Sequence, residues 1–399
     1  MSYYLKEHHL KMAETLVEKT RRLGGLAPLD LNRFWQDEER AQVDPFSPAC
    51  PQVPLGIRMS VECVFAELGI EEDWTRLYHD QRWRLALAKE YNRKAKEIVG
   101  RPLLPEKLAW PESPRWPEVK ALHDIFEGRN EWRPEAMSYW LHPAAHHPDQ
   151  LARLLDRVET RLENLRSFLF PENWEEGKLA CQRAGLPFPF YRAQRGPVTL
   201  AMSLYGPENL IYLILDRPQL AARFRDLILK AILKRARLLD EESGLPPEKL
   251  PRGWSWCDDN CALLNREMYE FFGYPILKAV FDEYAPGPRD GRFQHSDSEM
   301  GHLLPVLGKL NLTGVNFGPG VKVSEIRKYL PRAIIYGQLA PFTFSRNEET
   351  NIVAEFLRDF EMAREDRGLV FSTAGSINNG SRLTGMRLIM AAIQEFGRY

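Results

Sequence analysis

An α/β chain folded as a (β/α)8 TIM barrel, behind an N-terminal and mostly helical cap, is the fold class the sequence predicts. Three observations predict it. From about Leu151 onward, long amphipathic helices alternate with short apolar runs that end in polar residues. At least five such strand-then-helix units follow one another at intervals of roughly 20 to 40 residues, the grammar of parallel strands joined by helical crossovers. No G-x-G-x-x-G or G-x-x-x-x-G-K-[ST] turn follows any candidate strand, which removes nucleotide-phosphate chemistry and leaves an open doubly wound sheet as the runner-up.

Residues 1–150 form the cap segment, rich in Pro, Trp and charge. Its clearest element is a helix over Glu72–Val99, where Trp74, Leu77, Trp83, Leu85, Leu87, Tyr91 and Ile98 recur at near-helical spacing. The next stretch, RPLLPEKLAWPESPRWPEVK, contains five prolines and reads as an extended connection that packs Trp110 and Trp116 against something larger. Residues 151–399 supply the barrel. Strands are expected at Pro197–Met202, Trp254–Cys257, Arg292–His295, Gly314–Phe317, Ile334–Gln338 and Leu369–Thr373. Helices are expected at Gln219–Leu239, Arg266–Tyr284, Glu299–Leu310, Val323–Leu330, Glu348–Glu365 and Arg382–Phe396.

Composition narrows the function. The 399 residues carry 54 Lys+Arg against 55 Asp+Glu, a formal net charge of −1. A general polyanion binder needs a basic excess, and the basic clusters Arg93–Lys96 and Lys230–Arg237 are interrupted by apolar positions, so no nucleic acid partner is expected. No run approaches the ~18 apolar residues of a membrane helix, and the charged start MSYYLKEHHLKMAETL does not suit a secretory signal. Five cysteines, few and odd in number, suit thiols in a reducing compartment; a cytoplasmic location is expected. Barrels are often homo-oligomers, but no stripe here identifies an interface.

In a barrel, chemistry sits on the loops after the strands. The candidates are Cys257-Asp258-Asp259-Asn260-Cys261, His295-Ser296-Asp297-Ser298-Glu299, Asn316, Gln338 and Ser372-Thr373. Alternation along a strand puts His295 and Asp297 on one face about 7 Å apart, where an imidazole and a carboxylate can converge on a ligand or metal. A metal needs a third group, for which Asp259, Cys257, Cys261 and His302 are the candidates. The bland alternative is that His295 and Asp297 hydrogen-bond neighbouring loops. Cys257-x3-Cys261 has the look of a metal pair, but thiols so spaced beside a buried strand are more often small core residues. His142-x3-His146 with His147 could set two ligands on one helical face, but Pro143 and Pro148 interrupt and end the segment, which favours a capping turn or loop. Phe188, Phe190 and Tyr191 form either a ligand wall or a satellite core.

The runs GPVTLAMSLYGPENLIYLILDRPQLAARFRDLI, DDNCALLNREMYEFFGYPILKAVFDEY, FQHSDSEMGHLLPVLGKLNLTGVNFGP, YGQLAPFTF and STAGSINNGSRLTGMRLIMAAI occur in this order over about residues 195–397. Together they resemble the uroporphyrinogen decarboxylase superfamily. The resemblance implies a single β/α barrel and one of two activities: cofactor-free decarboxylation of uroporphyrinogen, or methyl transfer between a corrinoid and another carrier. For the decarboxylase branch, the expected Arg-Gln-Ala-Gly-Arg-Tyr signature is missing and GIRMSVECVFAEL is the nearest stretch. Ser203 stands where that branch has Tyr, with Tyr205 two positions on, and Gly375 stands in place of its late-loop His. For the thiol-methylating branch, the resemblance implies zinc held by His-x-Cys and a late-loop Cys; here His295 is kept, Asp297 replaces the first Cys, and Gly375 again takes the last position.

The expectation is therefore a methyltransferase that moves a methyl group from a small methylated substrate, such as a methoxylated aromatic, to cobalamin on a separate corrinoid protein. His295, Asp297 and Asp259 are the expected catalytic residues, with His295 and Asp297 holding zinc if a metal is used. Asn316, Gln338, Phe188, Tyr191, Ser203 and Tyr205 are the expected substrate contacts. The rivals are a cofactor-free decarboxylase or other lyase, and a non-catalytic binder of a corrinoid or porphyrin.

Overall fold

The computed structural model describes residues 4–108 and 113–399. It is an α/β fold with eight strands among the described residues: β1 (Arg129–Arg133), β2 (Ser138–His142), β3 (Ala193–Arg195), β4 (Trp254–Cys257), β5 (Arg292–His295), β6 (Gly314–Asn316), β7 (Ile334–Leu339) and β8 (Leu369–Thr373). β1 and β2 pair as an antiparallel hairpin; the other six belong to one sheet whose order, β3-β4-β5-β6-β7-β8, is the chain order. Sequence-adjacent parallel strands need helical crossovers, and helices fill the connections from β4 onward. The expected limits of β4, β5 and β8 match the structure residue for residue, as do those of the helix Arg266–Tyr284, which carries Pro275 inside it.

The chain parts into two compact units, and β5 is divided between them: Arg292–Gln294 belong to the unit of residues 109–294 and 305–310, and His295 to the unit of residues 1–108, 295–304 and 311–399.

Within the first of these units, β3 and β4 pair in parallel from Ala193↔Ser255 to Arg195↔Cys257, and the Trp254 N–H donates to the Gly291 carbonyl (2.8 Å). Trp256, Tyr269, Phe272 and Phe281 are fully buried around these strands and the helix Arg266–Tyr284. The run expected as a strand at Pro197–Met202 is instead a helix, Pro197–Tyr205, with all but Ser203 buried. A helix enclosed on all sides shows no 3.6-residue polar stripe, so its pattern reads as a buried strand; Pro197 in its first turn, where no N–H is required, marks the true start. Trp116 packs against Trp174 and Phe188, with ring centroids 6.0 and 5.1 Å away, while Trp110 lies outside the described residues.

Within the other unit, β7 and β8 pair from Ile335↔Leu369 to Leu339↔Thr373, and β6 joins β7 at Gly314↔Ile334. The Ser296 N–H, just past β5, donates to the Asn316 carbonyl (2.9 Å). Residues 53–56 extend the sheet beyond β8: Leu55 bridges Phe371 in parallel, the Phe371 N–H donates to the Pro54 carbonyl (2.9 Å) and the Gly56 N–H to the Phe371 carbonyl (2.7 Å). A Cβ on Gly56 would sit 2.8 Å from Val370 Cγ1, so only glycine lets this segment approach. The helix expected over Glu72–Val99 is broken at Asp80, whose carboxylate accepts the Arg82 and Trp83 N–H groups (3.1 and 2.9 Å) and so restarts the chain as Gln81–Val99 after Trp74–His79. The helix expected over Glu299–Leu310, a run divided between the two units after Leu304, is three short turns, Gly301–Leu303, Leu304–Leu307 and Gly308–Leu310, interrupted by its own glycines and Pro305. No single described helix is long and apolar enough to cross a membrane.

Candidate active site

β5 ends at His295, β6 at Asn316 and β8 at Thr373, so three strand ends deliver side chains to one place. Asn316 orders it. Its amide nitrogen donates to the carbonyls of Tyr336 and Thr373 (2.9 Å to the latter), which fixes Oδ1 on the opposite side, where it accepts from the Gly375 N–H (3.2 Å) and from His295 Nδ1 (2.8 Å). Because Oδ1 can only accept, Nδ1 of His295 carries a proton. The other ring nitrogen, Nε2, lies 3.0 Å from Asp297 Oδ1. A neutral imidazole would then aim a lone pair at a carboxylate. Either Nε2 is also protonated, giving an imidazolium–carboxylate pair, or a cation lies between the two atoms.

Asp297 is suited to either state. Burial pushes its carboxyl up, but the hydrogen bond and charge of His295 and the Ser376 N–H (3.2 Å) outweigh this and hold it below the usual carboxylate range. Gly375, at φ +100°, closes the other side, where a Cβ would stand 2.4 Å from Asp297 Oδ1. No larger side chain fits at 375 while Asp297 occupies this position. The two departures from the thiolate pattern, a carboxylate at 297 and no side chain at 375, are therefore one packing arrangement.

Two donors 3.0 Å apart approximate the ~3.3 Å that separates neighbouring ligands of a tetrahedral metal with bonds of ~2.0–2.1 Å. The Nδ1–H···Asn316 bond is the outer support that metal-bound histidines need. The residues thus fit part of a zinc-type site. Another group, His8, His9 and Glu361, brings three donor atoms within 4.8 Å, but does not fit. There the Lys6 N–H donates to His9 Nδ1 (3.2 Å), so the proton sits on Nε2, which donates to Glu361 Oε2 (2.6 Å), and the Lys6 ammonium takes the other carboxylate oxygen (2.6 Å).

Of the remaining candidates, Gln338 is buried and gives its amide hydrogens to the carbonyls of Gly318 (2.9 Å) and Val321 (2.8 Å), holding the loop after β6. His302 is exposed on the turn Gly301–Leu303, and neither it nor Cys257 nor Cys261 joins a group of three convergent donors among the described residues. Cys257 is exposed at the end of β4, whereas Cys261 is buried and donates to the Asp258 carbonyl (2.7 Å), with burial pushing its thiol up; the pair does not behave as matched ligands. Asp259 is half-buried on the turn Asp259–Leu263. Phe188 belongs to the aromatic cluster of Trp116, Trp174 and Phe190, and Tyr191 is exposed with the Arg235 guanidinium 5.1 Å from its ring. Ser203 donates to the Thr199 carbonyl (2.7 Å) and accepts from Arg195 (3.0 Å), and Tyr205 is buried. His142 ends strand β2, beside Glu131, where a turn or loop was expected, and His146 lies in the loop beyond, as expected.

Sequence reasoning included Asp258 among the strand-end candidates without foreseeing its burial, and it passed over a second buried acid, Glu355. Asp258 accepts the Thr199 N–H (2.7 Å), burial pushes it up to about 6, and it fits only because Gly196 has no Cβ. Glu355 accepts from the Ala340 N–H (2.7 Å) and the Thr343 hydroxyl (2.8 Å), and burial pushes it up to about 7. An exposed-looking DD pair and a helical Glu carry no mark of burial in sequence.

A family model described as uroporphyrinogen decarboxylase (URO-D) matches residues 162–396, more than half of the chain. The chain belongs to the uroporphyrinogen decarboxylase family. No curated protein matches this family member in sequence. Among solved structures it is similar to a methyltransferase from Methanosarcina mazei, with 15% identity, a TM-score of 0.50, and coverage of 86% of this chain and 94% of that one. At such identity the likeness bears on the fold.

Proposed function

We propose that this family member is a methyltransferase that takes a methyl group from a small methoxylated substrate, an aromatic ether being the class favoured, and passes it to the corrinoid of a partner protein. The observation that carries this reading is the His295–Asp297 pair, oriented by Asn316 and walled by Gly375. Aromatic ether cleavage needs an acid, because the C–O electron pair leaves with the phenolic oxygen while the methyl carbon goes to the acceptor. Doubly protonated His295 would donate its Nε2 proton to that oxygen, and Asp297 would hold the ring in its charged form. In the metal-bound version, His295 and Asp297 are two ligands, Asp259 is the sequence-based candidate for the third, and the ion supplies Lewis acidity to the leaving oxygen. The cytoplasmic setting and the closed eight-stranded ring expected from the sequence are part of the same proposal.

Thiol methylation is disfavoured because the thiolate ligands that would activate the acceptor are replaced by Asp297 and Gly375. The test combines purified protein, methoxyarenes, zinc and reduced corrinoid protein. Absorbance of the methylated corrinoid, with release of the phenol, is expected and should fall by about 10²- to 10⁴-fold in His295→Ala. Absence of methylated corrinoid with every methoxyarene overturns the reading; carbon dioxide release from a carboxylated substrate would favour decarboxylation instead. Metal analysis of wild type, His295→Ala, Asp297→Ala and Asp259→Asn decides between the two acids: stoichiometric zinc lost in the variants identifies the metal form.

A further inference from the structure

Under the β1–β2 hairpin, at the carboxyl end of β3, lies a half-open cavity of about 210 Å³. Leu122, Leu141 and Leu200 give it apolar walls, and His123, Asn130 and Arg195 give it polar ones. All six belong to the unit of residues 109–294. Arg195, the last residue of β3, has Nη1 committed to Ser203 Oγ (3.0 Å), which steadies one edge of the guanidinium; its other donors have no hydrogen-bond partner among the described residues. Near it sits a second guanidinium. Arg235 is 5% exposed, donates Nε to the Lys120 carbonyl (3.1 Å), and has no carboxylate within 4.0 Å among the described residues. The charge of Asp124 reaches it, but His123 feels both guanidinium groups against that single carboxylate, and a place where buried positive charge exceeds negative would stabilise an anion.

His123 reports the same field. Its Nε2 accepts from the Asn130 amide (3.2 Å), which requires the neutral ring, and burial together with the charges of Arg195 and Arg235 keeps its pKa down against the pull of Asp124. Asp124 supplies one negative charge, with Oδ1 3.6 Å from His123 Nε2 and Oδ2 accepting the Ala121 N–H (2.7 Å), against the two guanidinium charges that act on the same ring. A larger surface groove of about 540 Å³, bordered by residues 162–167 and 234–241, has no such surplus: Arg166 is paired with Glu242 (2.7 Å) and Arg237 with Glu283 (2.7 Å).

We propose that the β3 cavity is a binding site for the carboxylate of a small organic acid, clamped by Arg195 with its hydrocarbon part against Leu122, Leu141 and Leu200. A carboxylate matches the flat fork of one guanidinium, and the apolar walls suit a short carbon skeleton better than a fully hydrated phosphate. The volume is below that of sites for drug-sized ligands and excludes a tetrapyrrole. The site does not depend on the methyl-transfer reading, because no residue of the His295–Asp297 pair takes part.

Calorimetric titration of the full chain with benzoate tests this, with benzamide as the neutral isostere and inorganic phosphate as the competing anion. Saturable 1:1 binding of benzoate is expected, with no binding of benzamide and weaker binding of phosphate. Arg195→Gln, at an exposed position, should weaken benzoate binding about 10- to 100-fold with the unfolding temperature unchanged. The His123 ring, followed by NMR, should titrate at higher pH with benzoate bound, because the bound anion offsets the neighbouring guanidinium charge. Absence of saturable benzoate binding, equal binding by Arg195→Gln, equal binding of benzamide, or tighter binding of phosphate would each overturn the proposal.

Discussion

Asn316 uses both amide hydrogens and both lone-pair directions on four groups from three stretches of chain, and through them it sets the tautomer of His295. Asn316→Ala leaves two carbonyls and two N–H groups, of Gly375 and of the His295 ring, to find other partners and should cost about 2–4 kcal/mol of stability, read by urea unfolding. If the site holds zinc, the same variant should weaken it by about 10- to 100-fold in a metal titration. Sequence reading reached His295 and Asp297 because period-2 alternation is visible in a string of letters. It assigned Asn316 to the substrate because nothing in the letters shows that its amide is spent on the backbone. Glu355 gives a pH-dependent consequence. Its pKa rises from an ordinary 4.5 to about 7 through burial, partly offset by the Ala340 N–H, Arg358 and Thr343. Between these values the unfolded chain has lost this proton while the folded chain keeps it, so the group's contribution to stability falls as pH rises through the window and levels off above about 7. Unfolding at pH 5 and pH 8 should show a loss of about 1–3 kcal/mol from this group that is absent in Glu355→Gln.

Among elements, legibility followed environment. β8 is a short apolar run with a polar end and β4 alternates Trp with small residues, while β5, Arg292–His295, has Phe293 as its one apolar residue; the expected limits of all three match the structure. The helix Pro197–Tyr205 was misread because total burial erases the polar stripe by which helices are recognised. The segment at residues 53–56 was missed for the opposite reason: Pro51 and Pro54 demote it as a strand, yet its partner β8 needs a donor and an acceptor from only one of its sides. Gly56 makes that contact checkable. Gly56→Ala would force a Cβ to 2.8 Å from Val370 Cγ1, 2.9 Å from Ser372 Cβ and 3.2 Å from the Phe371 carbonyl, and should destabilise the protein by about 1–3 kcal/mol in a denaturant melt.

At the scale of the whole molecule, 54 basic and 55 acidic residues and a pI of about 6.8 leave little net repulsion between copies near neutral pH. Solubility should pass through a minimum near pH 7, measured as saturation concentration against pH, and should rise on either side. The same balance fits recognition by a few placed charges rather than by a long-range field. The fit of Gly375 against Asp297 also dictates an order of events for anyone rebuilding a sulfur-ligated centre in this scaffold. A cysteine introduced at 375 first would meet both the collision with the carboxylate and the left-handed backbone at φ +100°, whereas shortening 297 first removes the collision and leaves only the backbone strain to be relieved.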